Sequence, residues 1–206
     1  MNYRKPVLII IAGPNGSGKT TITRQLLLHE WGEDCIYINP DDVAKDRYGD
    51  WNSNEAVMKA AKYATELRYS LLEKGEDFVF ETVLSAEEKV DFIRKAKELG
   101  YFIRVFFVST SSPKINAARI AGRYMAGGHT VPIDKIVSRY AKSIENCARI
   151  ARIVDRMYIY DNSAENMPAR LLFRIADGRL HKLYIKELPI WSTGIKNCVK
   201  DRNENE

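Results

Sequence analysis

A doubly wound α/β domain built on a parallel sheet is what this sequence predicts, and three observations carry the reading. The apolar run Val7-Leu8-Ile9-Ile10-Ile11-Ala12 leads straight into a glycine-rich turn, which leads into a helical pattern. Short apolar runs recur at 35–39, 78–82, 101–109 and 157–160, with helix-period stretches between them. Strands that alternate with helices imply crossover units and a buried parallel sheet. Finally, 206 residues suit a single α/β domain, spanning 1–206, that buries a full core without disulfides or metal.

The first element pair contains the chemistry. Gly13-Pro14-Asn15-Gly16-Ser17-Gly18-Lys19-Thr20 fits G-x-x-x-x-G-K-[ST] between a β-branched strand and a helix expected from Thr20 to Leu28. Backbone N–H groups at such a turn face a bound anion, with the helix N-terminus behind them. The glycines permit close approach, Lys19 reaches the β/γ-phosphates, and the Thr20 hydroxyl, with Thr21 beside it, meets Mg²⁺ and phosphate. ATP and Mg²⁺ are the cofactors this implies.

Composition narrows the class. Cys35, Cys147 and Cys198 lack C-x-x-C spacing, so neither a zinc site nor a disulfide framework is expected. No apolar run reaches the ~20 residues of a membrane span, and strand 1 starts too early for a signal peptide, so a cytoplasmic protein is expected. The net charge of +5 is concentrated: Lys114–Arg156 holds nine Lys/Arg against three Asp/Glu, and the remaining 23 basic and 24 acidic residues leave −1 elsewhere.

Strand 2, Cys35–Asn39, ends at Pro40, which cannot continue a sheet. It leaves Asp41 and Asp42 at a strand's C-terminal edge, where ligands of such sheets gather. There an Asp accepts a substrate proton or holds Mg²⁺; the competing reading makes one of them a helix N-cap. The helix of Trp51–Lys74 follows, its apolar residues at helical spacing and Gly75 as its stop. Strand 3, Phe78-Val79-Phe80, ends at Glu81-Thr82 on the same edge, with Glu81 a candidate for metal or substrate and Thr82 and Ser85 able to add hydroxyl contacts. Ser85-Ala86-Glu87-Glu88 has the capping-box pattern and opens a helix to Leu99. Tyr101–Ser109 is strand 4, and Ser112-Pro113 supplies a cap and first-turn proline for the next helix.

The basic segment reads as a glycine-hinged helical lid at about 114–152. Arg119 and Arg123 lie one turn apart, before the break Gly127-Gly128-His129-Thr130-Val131-Pro132. Cations that close over a triphosphate are worth roughly 10³–10⁵ in rate where an arginine finger acts. Arg119 and Arg123 are the candidates for that role, Arg139 follows, and His129 is placed to contact phosphate or substrate; Lys142, Arg149 and Arg152 read as solvated surface. Strand 5, Met157–Tyr160, ends in Asp161-Asn162-Ser163, where an adenine base would lie. Asp177-Gly178 between two strand-like runs signals a type I′ hairpin at about 171–185, and the polar tail 201–206 is expected to fray.

Taken together, the P-loop, Asn39-Pro40-Asp41-Asp42, Phe80-Glu81-Thr82 and Arg123-x-x-x-Gly127-Gly128-His129-x-Val131-Pro132 resemble the zeta toxin family of P-loop kinases over roughly residues 6–163. The resemblance implies a P-loop NTPase, kinase-like sheet of about five parallel strands. It also implies transfer of the ATP γ-phosphoryl group to a small-molecule hydroxyl, UDP-N-acetylglucosamine in the toxins, and an antitoxin as partner. By motif Lys19 is then the P-loop lysine, Asp41 the general base, Glu81 the acid after strand 3, and Arg119 or Arg123 the first lid arginine. Two departures stand out: the second lid arginine falls at His129, and Glu-Gly-Thr is here Glu81-Thr82-Val83. A nucleic-acid end kinase is disfavoured because the basic segment lacks interleaved aromatics. A non-catalytic nucleotide switch is the rival of a different class.

Overall fold

In the computed structural model, which describes residues 4–27, 35–49, 53–125 and 131–200, the elements follow the predicted alternation. The strands are β1 (Val7–Ala12), β2 (Ile36–Ile38), β3 (Phe78–Thr82), β4 (Phe102–Ser109), β5 (Arg156–Asp161), β6 (Arg170–Ala176) and β7 (Arg179–Leu183). The helices are α1 (Lys19–Leu27), α2 (Pro40–Tyr48), α3 (Asn54–Lys74), α4 (Glu87–Glu98), α5 (Pro113–Met125), α6 (Ile133–Ile150) and α7 (Ile190–Asn197). One sheet runs β2-β3-β1-β4-β5-β6-β7. The first five strands pair in parallel, as their β-branched and aromatic runs require, while β6 and β7 add antiparallel at the β5 edge. The sheet therefore has seven strands instead of the expected five, because the hairpin continues it instead of packing apart.

Asp177 at φ 51° and Gly178 at φ 72° give the left-handed pair that a type I′ turn needs. The strands it joins slip register once, between Arg174 and Ile175. The larger core lies on one face of the sheet, where α3, α4, α6 and α7 contribute Ala64, Leu71, Phe92, Ile93, Cys147, Ile150, Trp191 and Ile195. The other face is packed by Ile22 of α1 against Ile9, Ile11, Val79, Phe106 and Val108. Cys147 is fully buried, which pushes its thiol up, and none of the three cysteines is bridged.

Four local expectations need correction. The capping box at Ser85 does not form: α4 starts at Glu87 with Ala86 at the N-cap and no side-chain cap bond. Leu84 turns the chain at φ 58°, its N–H held by the Thr82 hydroxyl at 3.0 Å, and this displaces Ser85 from the cap. Second, 40–48 is a helix whose N-cap is Asn39, its side chain accepting from the Asp41 N–H at 3.0 Å, with Pro40 in the first turn. Neither aspartate is the cap. Third, α3 starts at Asn54, capped by Ser53; Trp51 lies outside the described residues. Fourth, the hairpin is not the last element: α7 follows, and its Trp191 packs on Phe107 and donates Nε1–H to Asp161 at 2.9 Å. The tail 201–206 is outside the described residues.

The segment read as a lid divides in its packing. Ile120 of α5, Val131 and Ile136 form a small cluster of their own, while Cys147 and Ile150 at the far end of α6 belong to the main core. Arg149 pairs with Glu87 at 2.5 Å and Arg152 donates to the Cys198 carbonyl, in keeping with a surface role for both. Among the described residues no helix is long and apolar enough to cross a membrane.

Candidate functional site

The P-loop is wrapped between the ends of β4, β5 and α5. A Cβ on Gly13, at φ 149°, would stand 2.0 Å from the Val108 carbonyl oxygen, and one on Gly18, at φ 96°, would stand 2.2 Å from Asn162 Nδ2. Both positions therefore exclude a side chain. Asn116 of α5 donates to the Asn15 carbonyl at 2.6 Å, and Asn162 donates to the Ser17 carbonyl at 2.8 Å. Asn162, in the stretch 161–163 where an adenine base is expected, thus braces the loop. Ser17 is fully buried, and its hydroxyl and Asn15 Oδ1 are buried without a hydrogen-bond partner. Pro14 accepts from the Ser17 N–H at 3.2 Å, closing the turn, and the Thr21 N–H returns to Gly18 O at 3.2 Å. Thr20 and Thr21 are exposed at the first turn of α1. Replacing Gly13 by Ala is expected to cost about 1–3 kcal/mol through overpacking against β4 and to abolish nucleotide binding, as read by thermal melts and calorimetry.

Lys19 Nζ donates to Gly13 O at 2.9 Å and Pro14 O at 3.1 Å. Burial lowers its pKa first; the charges of Glu81 and Asp41 oppose that shift, and Arg123 adds to it. The four charges invoked at four separate stretches of sequence therefore share one neighbourhood. Glu81, 8% exposed at the end of β3, has one carboxylate oxygen held twice: Thr23 Oγ1 donates to Oε1 at 2.5 Å and Tyr37 OH at 2.8 Å. Asn39 Nδ2 in turn donates to the Tyr37 hydroxyl at 3.0 Å. Asn39 thereby links the helix carrying Asp41 and Asp42 to the Glu81 carboxylate. Burial and then the Glu81 charge push the Tyr37 hydroxyl well above its ordinary pKa, so it stays a donor.

Asp41 and Asp42 are exposed in the first turn of α2, where acids suit the helix dipole. Asp42 nevertheless lies above its ordinary pKa, through desolvation first and then the charges of Glu81, Asp41 and Asp46. The folded chain thus binds its proton more tightly than the unfolded chain. The stabilising balance is complete below the ordinary carboxylate range and is lost as pH rises through the raised value. Asp42→Asn is expected to raise the melting temperature at pH 7 and not at pH 3 in chelator-treated buffer, by less than about 1 kcal/mol at so exposed a position.

That crowding of carboxylates is what a divalent cation would relieve. Among the described residues no group of three His, Cys, Asp or Glu could cage a metal alone. Mg²⁺ needs less, since it keeps waters and takes one or two carboxylates beside nucleotide phosphates. Asp42 and Glu81, whose charges act on one another, are of the residue type that such a partial set asks for.

Apart from Arg123, the remaining candidates are dispersed. Thr82 spends its hydroxyl on Leu84 N and its carbonyl on the Gly13 N–H at 3.2 Å, so it ties β3 to the P-loop. Arg119 donates to the Ala164 carbonyl at 3.3 Å, which joins α5 to the loop after β5. Arg123 is exposed on α5. Arg139 is half-buried on α6 beside Tyr140, whose hydroxyl donates to Thr110 O at 2.6 Å beyond β4. His129, with Gly127 and Gly128, lies outside the described residues. Sequence reasoning missed Thr23, Tyr37 and Asn116, and it singled out the stretches of Asn39 and Asn162 without their bracing roles. Only Asn39 carried a readable signal, a cap residue directly before a first-turn proline.

A strand, a phosphate loop and a helix N-terminus, with acids on the neighbouring strand ends of a 2-3-1-4-5 parallel order, define a P-loop protein of the kinase-like class. The family model described as zeta toxin matches residues 1–168, and the chain belongs to that family. An uncharacterized protein of Haemophilus influenzae is 29% identical over 134 residues, covering 64% of this chain and 91% of its own. Among solved structures, one from the PezAT chromosomal toxin-antitoxin system of Streptococcus pneumoniae aligns with a TM-score of 0.58 at 22% identity, covering 79% of this chain and 70% of that one. The AvrRxo1-ORF1:-ORF2 complex with ATP aligns at 0.66 and 18% identity, over 87% of this chain and 61% of that one. At those identities the structural likeness speaks for the fold.

Proposed function

We propose that this chain transfers the γ-phosphoryl group of ATP to the hydroxyl of a small molecule, with a sugar nucleotide such as UDP-N-acetylglucosamine the first acceptor to test. The observation that carries the reading is the convergence of Lys19, Glu81, Asp41 and Arg123 at the mouth of a braced P-loop. Asp41, exposed on a rigidly capped helix, accepts the acceptor's proton. Glu81, its Oε1 fixed by Thr23 and Tyr37, presents its other oxygen to the acceptor or to a metal-bound water. Lys19 and the loop N–H groups bind the phosphates, and Arg119 and Arg123 neutralise charge that develops on the moving group. Mg²⁺ held by Thr20, Asp42 and Glu81 would supply further charge neutralisation. Arg139 and His129 are assigned to the acceptor side.

An antitoxin is the protein partner this reading brings with it, in keeping with family membership and with the toxin-antitoxin system of the pneumococcal neighbour. The test is incubation with Mg·ATP and a pool of cell metabolites, with UDP-N-acetylglucosamine included, followed by mass spectrometry. A phosphorylated metabolite that is absent with a Lys19→Ala control is the expected result. ATP hydrolysis with every acceptor unchanged would instead favour a nucleotide switch acting on a partner.

A further inference from the structure

The sheet carries a second cationic surface that the basic lid segment does not account for. On the face that bears α1, the cross-strand register sets Arg104 directly opposite Arg156, and Arg174 directly opposite Lys182. Arg179 stands opposite Ala176 in the row of Arg156. Like charges directly opposite on adjacent strands are destabilising, and here two such pairs occur on four consecutive strands. The strand positions on that face of β4 to β7 include no Asp or Glu, and Asp177, at the hairpin tip, pairs with Arg156 at 2.8 Å. Burial lowers the Arg104 pKa, and the neighbouring Arg156 lowers it further. Helices α3, α4 and α7 and the far end of α6 pack on the opposite face; on this one Arg104, Arg156 and Arg174 are half-buried, and Arg179 and Lys182 of β7 are exposed.

The aromatic side chains here decide the class of ligand. Phe106 and Tyr158 stack on one another, 4.8 Å between centroids at 9°, and the Arg174 guanidinium lies 6.0 Å from the other ring. Phe102 is flanked by Arg104 and Arg156 at 5.6 Å and 5.8 Å, and Tyr184 has Lys182 at 5.0 Å. Phe106 is only 2% exposed, Phe102, Tyr158 and Tyr160 are half-buried, and Tyr184 alone of these rings is exposed, so the face has no row of open platforms on which successive bases could stack. Four of the five cations are arginines, whose planar fork pairs with carboxylates and phosphates alike; without a stacking row for bases, the carboxylates of a peptide are the anions that fit this face.

We propose that the β4–β7 face is a docking surface for an acidic polypeptide segment of a partner protein, separate from the P-loop site and independent of the reaction assigned to it. The test measures fluorescence anisotropy of a labelled glutamate-rich peptide and of a single-stranded RNA with the full chain at 50 mM and 200 mM salt. Two variants with equal change in net charge are compared, Arg179→Glu with Lys182→Glu on this face and Lys135→Glu with Lys142→Glu on α6; all four positions are exposed, so folding is preserved. The peptide is expected to bind the parent chain, to lose at least tenfold in affinity in the first variant and under threefold in the second, and to bind more tightly than RNA. Equal loss in both variants would reduce the effect to net charge and overturn the proposal, as would absence of peptide binding. Tighter RNA binding that the first variant abolishes would assign the face to nucleic acid instead.

Discussion

Replacing Asp41 by Asn is expected to leave Mg·ATP affinity within about twofold and to cut phosphoryl transfer by roughly 10²–10⁴, the span of general-base contributions. The side chain is exposed in the first turn of α2, and Asn39 caps the helix whether or not the neighbouring carboxylate is present, so the fold does not depend on Asp41. Calorimetric ATP titration beside a single-turnover transfer assay separates the two effects. Unchanged turnover would remove Asp41 from the reaction and leave it a dipole-stabilising residue. Parallel loss of binding and turnover would instead make it a ligand for the nucleotide complex.

Lys19→Ala is expected to be as severe in rate and to act through the phosphates, lowering transfer about 10²–10³-fold and weakening ATP binding as well. Nζ rests on the Gly13 and Pro14 carbonyls, so the substitution leaves both oxygens without that donor. It also removes a cation that interacts with the charges of Glu81 and Asp41. Lys19→Arg keeps the charge with a different donor geometry and should recover binding before it recovers rate. Full activity in the alanine variant would exclude phosphoryl transfer through this loop. Nucleotide titration and the transfer assay together distinguish these results.

Much of this architecture was legible in the residues. Val7–Ala12 followed by the glycine pattern, the Asp177-Gly178 turn and the Gly75 helix stop each rest on local backbone chemistry, and each is found where expected. Local rules misled where a neighbour changed the turn: Ser85 has the capping pattern, yet the left-handed Leu84, held by Thr82, moves the helix start to Glu87. The site divides in the same way. Lys19 was legible from the glycine pattern and Asp41 and Glu81 as acids that follow strands, whereas Tyr37, Thr23 and Asn162 look like ordinary polar positions until the sheet order is known.

The sequence by itself determined the strands, the anion-binding loop and the acids at the sheet's C-terminal edge. All of these follow from near-neighbour sterics, hydrogen bonding and hydrophobic period. Tertiary structure alone decided that β3 inserts between β2 and β1, which brings Tyr37 onto Glu81 and Thr82 onto Gly13. It also decided that the hairpin extends the sheet and aligns Arg104 with Arg156 and Arg174 with Lys182. Apart from the hairpin pair Arg174 and Lys182, those contacts join residues tens of positions apart, and register across strands is set by which faces can be buried together, a property of the assembled sheet and not of any one strand.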